Sequence, residues 1–228
     1  MKRDTVGPMS QTPPLTIAID GPAASGKGTV ARRIAERYGL RHLDTGLLYR
    51  AVAVLCEADG IALDDAAATG ARAARLDPAD LERGDLRSAA AGRGASVVAA
   101  HSPVRAALLD WQRAFARGAP GAVLDGRDIG TVVLPDAQAK LFVTADPDVR
   151  AARRWRELSK DREIAYRDVL RDIEERDARD AARTDAPMRQ AEDAAPLDTT
   201  DRTIEAALEE AIRLIDGQLD GHAPAAPR

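Results

Sequence analysis

The chain has 228 residues, 45% of them hydrophobic and 31% charged, which is the balance of a globular protein with one substantial core. Its net charge of −4 excludes an extended non-specific nucleic-acid surface. No apolar run approaches the roughly 20 residues that a transmembrane helix needs, and one cysteine cannot form an internal disulfide. We therefore expect a cytoplasmic protein that binds neither nucleic acid nor membrane, and a monomer, because nothing in the sequence calls for a partner.

Short β-rich runs alternate with longer helical patterns along the chain. The predicted strands are LTIAID (15–20), RHLDT (41–45), AVLDG (122–126), AKLFVTA (139–145) and APLDTT (195–200). Amphipathic stretches such as GTVARRIAERYG lie between them. The alternation predicts an α/β fold with a doubly wound, parallel five-stranded sheet, whose functional side chains gather at the carboxyl ends of the strands.

We expect residues 15–218 to form one domain, between a disordered lead (1–14) and a disordered tail (219–228). Two segments inside the domain do not fit the strand–helix alternation. Residues 77–95 are rich in glycine and charge and predict a short insertion. Residues 150–183 form a long charged helical stretch that is broken near SKD.

The stretch IDGPAASGKGT, residues 19–29, predicts a phosphate-binding loop (P-loop). Gly21 is followed after four residues by Gly26 and Lys27, the spacing at which backbone N–H groups surround phosphate oxygens while the lysine reaches the outer phosphates. A predicted strand precedes the loop and a predicted helix follows it. The hydroxyl comes at Thr29 and not directly after the lysine, an ending that small nucleoside monophosphate kinases carry.

Two further motifs follow predicted strands. In LDTGLLYR, residues 43–50, Thr45 and Arg50 are candidates for holding an acceptor substrate, although an ordinary helix N-cap is the simpler explanation of LDTG taken alone. In DGRDIG, residues 125–130, Arg127 and Asp128 are expected at the rim of the sheet, and an exposed Asp-Gly turn is the alternative.

The charged stretch ERDARDAAR contains a spacing of interest. Arg176, Asp180 and Arg183 fall at i, i+4 and i+7, so one helical face presents two guanidiniums beside a carboxylate. Two arginines next to an acceptor suit a phosphate, whereas a solvated charged face is the simpler reading of the same pattern. The three histidines show no ligand spacing, so we expect no protein metal site and any metal to arrive with a substrate.

Taken together, these motifs resemble the bacterial cytidylate kinase family. The likeness includes AIDGPAASGKGT, LDTGLLYRAV, ASVVAA with SPVRAALLDWQRAF, VLDGRDIGTVVLPDA, and ERDARDAAR followed by LDTT, and it runs from about Leu15 to Leu214. It implies an ATP-dependent kinase that phosphorylates CMP or dCMP with Mg²⁺, and makes residues 150–183 a helical lid. Several family members have a larger insertion of antiparallel strands on the substrate side, which residues 77–95 lack.

The resemblance also implies residue roles. The ATP phosphates are expected at Gly21, Ala23, Ala24, Ser25, Gly26, Lys27, Gly28 and Thr29. Arg127, Arg176 and Arg183 are expected to hold the CMP phosphate and the transferring group, and with Lys27 they form the catalytic set. Thr45, Asp128 and Asp180 would lie near the ribose and base, and Ser96 and Arg105 would read the cytosine edge.

Two other functions remain compatible with the motifs. A sugar or shikimate kinase of the same fold would need a base for its neutral hydroxyl acceptor, and Asp128 is available in the sequence for that role. A nucleotide-dependent switch or regulatory protein would turn over slowly without a partner. A steady-state ATP assay with CMP separates these possibilities.

Overall fold

The computed structural model describes residues 13–160 and 163–222, apart from the side chain of His222. Its five strands are β1 Leu15–Asp20, β2 Arg41–Asp44, β3 Gly121–Gly126, β4 Ala139–Thr144 and β5 Ala195–Asp198. They form one parallel sheet in the order β2-β3-β1-β4-β5. The predicted fold class and all five predicted strands are confirmed, with ends that differ from the prediction by at most two residues.

Eight α-helices connect and cover the strands of the described chain. They are α1 Lys27–Tyr38, α2 Thr45–Ala58, α3 Ala66–Ala73, α4 Ala89–Val98, α5 Ser102–Arg117, α6 Pro147–Leu158, α7 Tyr166–Ala181 and α8 Ile204–His222. Short 3-10 turns occupy Pro78–Glu82 and Gly84–Arg87. Residues Ile129–Val133 make one π-helical turn, because bonds such as that from the Leu134 N–H to the Ile129 carbonyl span five residues.

The sheet is buried on both faces, which is why its central strands are apolar throughout. Ile17 and Ile19 of β1 point to the face covered by α1 and α8, where they belong to one apolar cluster with Ile34. Ala18 points to the opposite face and belongs to a second cluster that includes Leu48 of α2. Side chains alternate across a strand, so both faces need apolar residues. Within the described residues, no helix has the length and apolar character needed to cross a membrane.

The predicted disordered tail is wrong for residues 219–222, which continue helix α8. The side chain of Gln218 accepts a hydrogen bond from the Lys140 N–H at 2.9 Å and donates to the Lys140 carbonyl at 3.1 Å. Leu219 packs against the apolar cluster beneath α8. These contacts anchor the last turns of the helix on β4. Residues 1–12 and 223–228 lie outside the described residues, so the rest of both terminal predictions stays untested.

The segment of residues 77–95 contains the two 3-10 turns and the first part of α4. Leu86 in its second turn is buried and packs with Ala51 and Leu55 of α2. The predicted break in the lid lies between α6 and α7, and the two helices share an apolar contact through Ala151 and Ile173. We propose that residues 150–183 act as the lid, because α6 and α7 follow β4 and contact the P-loop at Ala23 and Ala24.

Candidate active site

The β1–α1 loop has the backbone conformation that its glycines predict. Gly21 has φ of 148°, and a Cβ on it would lie 2.0 Å from the Val143 carbonyl oxygen, so only glycine fits there. Gly26 has φ of 86° and caps the N-terminus of α1, while Ala24 also has positive φ. Lys27 is the first helical residue. The loop therefore delivers a helix N-terminus and a cation to the carboxyl end of β1, an arrangement that favours anions.

Lys27 faces a buried carboxylate at the end of β3. Its Nζ lies 3.8 Å from Oδ1 of Asp125, and the other carboxylate oxygen of Asp125 lies 2.8 Å from Nε2 of His42. Burial, followed by the nearby Arg127 charge, lowers the pKa of Lys27 to about 8, whereas Asp125 raises it. The lysine therefore remains largely charged at neutral pH, and binding a phosphate would favour that charge further.

Asp180 of α7 is the centre of an arginine cluster. Its carboxylate accepts a hydrogen bond from Nε of Arg127 at 2.9 Å and another from Arg183, and lies 3.8 Å from Nε of Arg176. The side chain of Asp180 is fully buried. Burial raises its pKa, but the three arginines outweigh this and hold it below the usual value. Three guanidiniums share one carboxylate, so this arginine cluster has an excess of positive charge.

The structure brings together the three residues that the i, i+4, i+7 spacing singled out, although Arg183 lies beyond the last residue of α7. Arg127, which the resemblance had grouped with Arg176 and Arg183, joins them from the loop after β3, 53 residues before Asp180 in the chain. Nε of Arg176 is buried without a hydrogen-bond partner among the described residues. Burial, followed by the Arg127 charge, lowers the pKa of Arg176 to about 9. A phosphate oxygen would satisfy both the free donor and the excess charge.

A second polar group lies farther along the same cleft. Arg105 of α5 donates a hydrogen bond to the carboxylate of Asp128 and lies 3.4 Å from the hydroxyl of Tyr49. Asp128 is buried, and burial raises its pKa despite the opposing charge of Arg105. Ser96 of α4 is also buried, and its hydroxyl accepts a hydrogen bond from Nη1 of Arg179 at 2.8 Å.

One cleft of about 770 Å³ joins these groups. It passes from the N-terminus of α1 through the arginine cluster to Ser96 and Arg105, and in the other direction to the start of α8. All the predicted site residues line it except two, Gly21 and Ser25. Gly21 packs against β4, and the Ser25 hydroxyl is buried without a partner among the described residues. The volume is within the range of small-molecule sites.

Comparison with known proteins identifies the family. Residues 17–217 match the family described as cytidylate kinase. The chain belongs to the cytidylate kinase family. It is 57% identical over 208 residues to "Cytidylate kinase" from Xanthobacter autotrophicus, covering 91% of this chain and 100% of that one. It is 56% identical over 201 residues to "Cytidylate kinase" from Caulobacter vibrioides, covering 88% and 94% of the two chains.

Solved structures agree on the fold. A gluconokinase from Sinorhizobium meliloti superposes with a TM-score of 0.51 at 15% identity, covering 92% of this chain and 95% of that chain. An uncharacterised protein from Eubacterium ventriosum gives a TM-score of 0.53 at 15% identity, covering 89% and 98%. Membership of the cytidylate kinase family confirms the predicted resemblance, the enzyme class of nucleoside monophosphate kinase and the use of ATP.

In this member of the cytidylate kinase family, Thr45 and Arg50 already have protein partners. The Thr45 hydroxyl donates to the Asp125 carbonyl at 2.8 Å, and the N-cap of α2 is Asp44, so the alternative reading of LDTG also holds. Arg50 donates to the Leu86 carbonyl at 2.8 Å and its pKa is lowered by burial. Arg50 thus ties the wall of the cleft to the segment of residues 77–95.

Sequence reasoning assigned no role to two buried carboxylates, Asp125 in the cleft and Asp20 behind it. Asp125 stands in the quoted DGRDIG motif, but its place opposite Lys27 depends on strands that pair only in the folded sheet. Asp20 ends β1, and its two oxygens accept hydrogen bonds from the Ile129 and Gly130 N–H groups at 2.8 and 2.7 Å. Burial raises the pKa of Asp20 to about 7. The carboxylate fixes the π-helical turn that follows Asp128.

Arg150 and Arg153 of α6 contact the P-loop or a residue that supports it. Arg150 donates to the Ala23 carbonyl at 3.3 Å and forms an ion pair with Asp177 of α7 at 2.7 Å. Arg153 donates to the Thr199 carbonyl at 2.7 Å, and the Thr199 hydroxyl lies within hydrogen-bond distance of the Ser25 carbonyl. Helix α6 is therefore joined to the P-loop by polar contacts.

Proposed function

We propose that the protein transfers the γ-phosphoryl group of ATP to the phosphate of CMP or dCMP. The observation that supports this most directly is the arginine cluster around Asp180, which shares a cleft with Lys27. A nucleotide phosphate has its second pKa near 6 and is already an anion at neutral pH, so the reaction needs no general base. The obstacle is repulsion between two polyanions, which clustered cations relieve.

The donor phosphates are proposed to lie against the β1–α1 loop. Backbone N–H groups at the N-terminus of α1 and the ammonium group of Lys27 supply the positive charge there. Beyond the loop the cleft continues to Ile204, an exposed apolar side chain at the start of α8. We propose that the adenine packs on Ile204, because an exposed large apolar residue in a nucleotide cleft suits a planar ring.

The acceptor phosphate is proposed to lie between Arg127, Arg176 and Arg183. The unpartnered Nε of Arg176 would donate to it, and the excess charge of the cluster would be neutralised. During transfer, negative charge builds up on oxygens between this cluster and Lys27. These cations act by position and charge and require no proton transfer.

Mg²⁺ is proposed to enter with the nucleotide. Among the described residues, no group of three or more His, Cys, Asp or Glu side chains could hold a metal ion alone. Mg²⁺ usually keeps several waters and binds through one or two carboxylates together with substrate phosphates, and the buried carboxylate of Asp125 opposite Lys27 fits that requirement. Bound there, the ion would neutralise charge between the ATP phosphates.

The base of the acceptor is proposed to lie between Ser96, Arg105 and Asp128. Arg105 can only donate hydrogen bonds, which suits the ring nitrogen and carbonyl acceptors of cytosine. The ion pair between Arg105 and Asp128 also argues against a sugar or shikimate kinase. Such an enzyme would need Asp128 as a free base, and Arg105 already occupies its carboxylate. We further propose that the protein acts as a monomer, since the described residues of one chain supply both the P-loop and the arginine cluster.

The test is a steady-state assay of ADP formation with CMP, dCMP, UMP, AMP, gluconate and shikimate, each with Mg²⁺ and with EDTA. The proposal expects CMP and dCMP to give the highest kcat/KM and EDTA to abolish turnover. Faster turnover of gluconate or shikimate than of CMP would reject the nucleotide acceptor. If ADP forms about as fast without any acceptor as it does with CMP, the protein is an ATPase.

A further inference from the structure

His42 of the edge strand β2 holds one oxygen of the buried Asp125 carboxylate. The parallel register of β2 and β3 places Asp44 opposite Asp125. His42 precedes Asp44 by two residues, so its side chain lies on the same face of the sheet. Nε2 of His42 lies 2.8 Å from Oδ2 of Asp125. Because an ionised carboxylate only accepts hydrogen bonds, Nε2 is the donor of this contact.

The other carboxylate oxygen of Asp125 is directed toward the P-loop. Oδ1 lies 3.8 Å from Nζ of Lys27, which is too far for a hydrogen bond, and 3.8 Å from the position that a Cβ on Gly28 would occupy. Among the residues that the structure describes, Oδ1 accepts no hydrogen bond, whereas Oδ2 is bound by His42. Asp125 therefore presents one free oxygen to the P-loop side of the cleft while its other oxygen is fixed.

His42 itself lies outside the cleft. The described residues that line the cleft include Lys27 and Asp125 but not His42. His42 lines a second cavity of about 460 Å³ beside Trp111 and Phe115 of α5. Because His42 contacts Asp125 and not the cleft, it can affect a bound nucleotide only through that carboxylate.

The hydrogen bond determines which oxygen of Asp125 is available. Without the His42 donor, the buried Oδ2 would lack a partner, and rotation of the carboxylate toward the ammonium group of Lys27 would supply one. Lys27 would then be paired with Asp125 and less available to phosphates. Carboxylates that bind metal ions are themselves oriented by hydrogen bonds, and loss of such a partner typically costs about 10- to 100-fold in metal affinity or activity.

We propose that His42 is a positioning residue for the complex of Mg²⁺ and nucleotide. It holds Asp125 so that Oδ1 stays free for the ion and Lys27 stays free for the phosphates. This rests on the proposed function, in which Mg²⁺ enters with ATP and binds at Asp125. It extends the candidate active site to a residue of β2 that does not line the cleft.

The experiment measures the dissociation constant of AMP-PNP, a non-hydrolysable ATP analogue, by calorimetry with Mg²⁺ and with EDTA. The ratio of the two constants is the gain in affinity from Mg²⁺. We expect His42→Leu, which removes the donor, to lower this gain about tenfold. His42→Gln should retain most of the gain, because its side-chain amide still donates a hydrogen bond. In the CMP assay, the apparent KM for Mg²⁺ should rise by a similar factor in His42→Leu while the KM for CMP is unchanged.

The matched control is His101→Leu. Nε2 of His101 lies 2.9 Å from the Leu63 carbonyl, and His101 does not line the cleft. This variant removes a histidine hydrogen bond of similar length and should leave the gain unchanged. Because His42 acts through Asp125, the double variant His42→Leu/Asp125→Asn should have the same gain as Asp125→Asn alone.

The outcomes separate this inference from the proposed function. An unchanged gain in His42→Leu, an equal loss in His42→Gln, or an equal loss in His101→Leu would each overturn the role of His42. If Asp125→Asn loses the gain and His42→Leu keeps it, only the present inference fails. If Asp125→Asn keeps the full gain, the proposed Mg²⁺ site is wrong and the role of His42 fails with it.

Discussion

Lys27 and Asp125 face each other across the carboxyl ends of β1 and β3, with Nζ 3.8 Å from Oδ1. The pair stands where a P-loop would present phosphates, and Asp125 is held from its other side by His42. The lysine is thus buried beside one carboxylate, with its charge directed toward the cleft.

Replacing Lys27 by alanine should lower kcat by at least ~100-fold, the order expected for loss of one preorganised electrostatic donor. The substitution removes the cation nearest the outer phosphates without touching the core. Steady-state kinetics with CMP measures the loss, and circular dichroism with a thermal melt checks the fold. A folded variant with near-normal kcat would show that Lys27 is not a catalytic residue.

The pKa of Lys27, lowered to about 8 by burial and by Arg127, predicts an alkaline limb in the pH profile of kcat/KM for ATP. As pH rises through 8, the free enzyme loses the positive charge of Lys27, so kcat/KM for ATP should fall. Bound phosphate favours the charged lysine, so kcat should fall only at higher pH. Lys27→Arg should abolish the limb, because arginine stays protonated. A limb near pH 8 that persists in Lys27→Arg would belong to another group.

Arg183→Ala should reduce kcat more than Arg171→Ala. Arg183 is nearly buried and pairs with Asp180 in the cleft, whereas Arg171 lies on the exposed side of α7. A contact made in the transition state affects the rate, while an exposed ion pair contributes little. The two variants are compared in the same CMP assay. Equal, small effects in both variants would indicate that ERDARDAAR forms an ordinary solvated helical face.

Asp180→Asn should lower the free energy of unfolding by roughly 3 kcal/mol, because it leaves three arginines without their buried counter-charge. CMP should restore more stability to this variant than to the wild type, since its phosphate replaces the lost anion. Urea unfolding with and without CMP measures both effects. Asp168→Asn, an exposed change on the same helix, is the control. If the variant without ligand is as stable as the wild type, Asp180 does not supply the stabilising counter-charge of the arginine cluster.

Arg105→Met should lower the CMP to UMP ratio of kcat/KM. Arg105 can satisfy acceptors on cytosine but faces an N–H on uracil, and an unpaired buried donor costs about 1 to 3 kcal/mol, or roughly 5- to 150-fold. The substitution also leaves the buried Asp128 carboxylate unpaired, so overall activity should fall. The ratio, and not the rate, is therefore the informative quantity. An unchanged ratio would place base recognition elsewhere.

The sequence predicted the sheet well because buried parallel strands are short apolar runs separated by amphipathic helices. It also predicted the P-loop, since the conformation of residues such as Gly21 is set locally. Arg176 and Asp180 were predicted to share a face because helical spacing determines that relation, whereas Arg183 follows the end of α7 and still pairs with Asp180.

Contacts between residues that are distant in the sequence could not be predicted from local sequence patterns. The pair of Arg127 and Asp180 spans 53 residues, and the site of Asp125 beside Lys27 depends on the order of the strands. The end of α8 was mispredicted for the same reason, since its last turns are held by contacts with β4 that local composition does not reveal.

The most direct test of phosphoryl transfer to CMP follows the transferred group itself. The enzyme is mixed with Mg²⁺, CMP and ATP labelled in its γ-phosphate, and the products are separated by ion-exchange chromatography during the first turnovers. We predict that the label appears in the β-phosphate of CDP as fast as ADP forms, with little in inorganic phosphate. Label that accumulates in inorganic phosphate while CMP remains unchanged would contradict the assignment of the arginine cluster as the acceptor phosphate site.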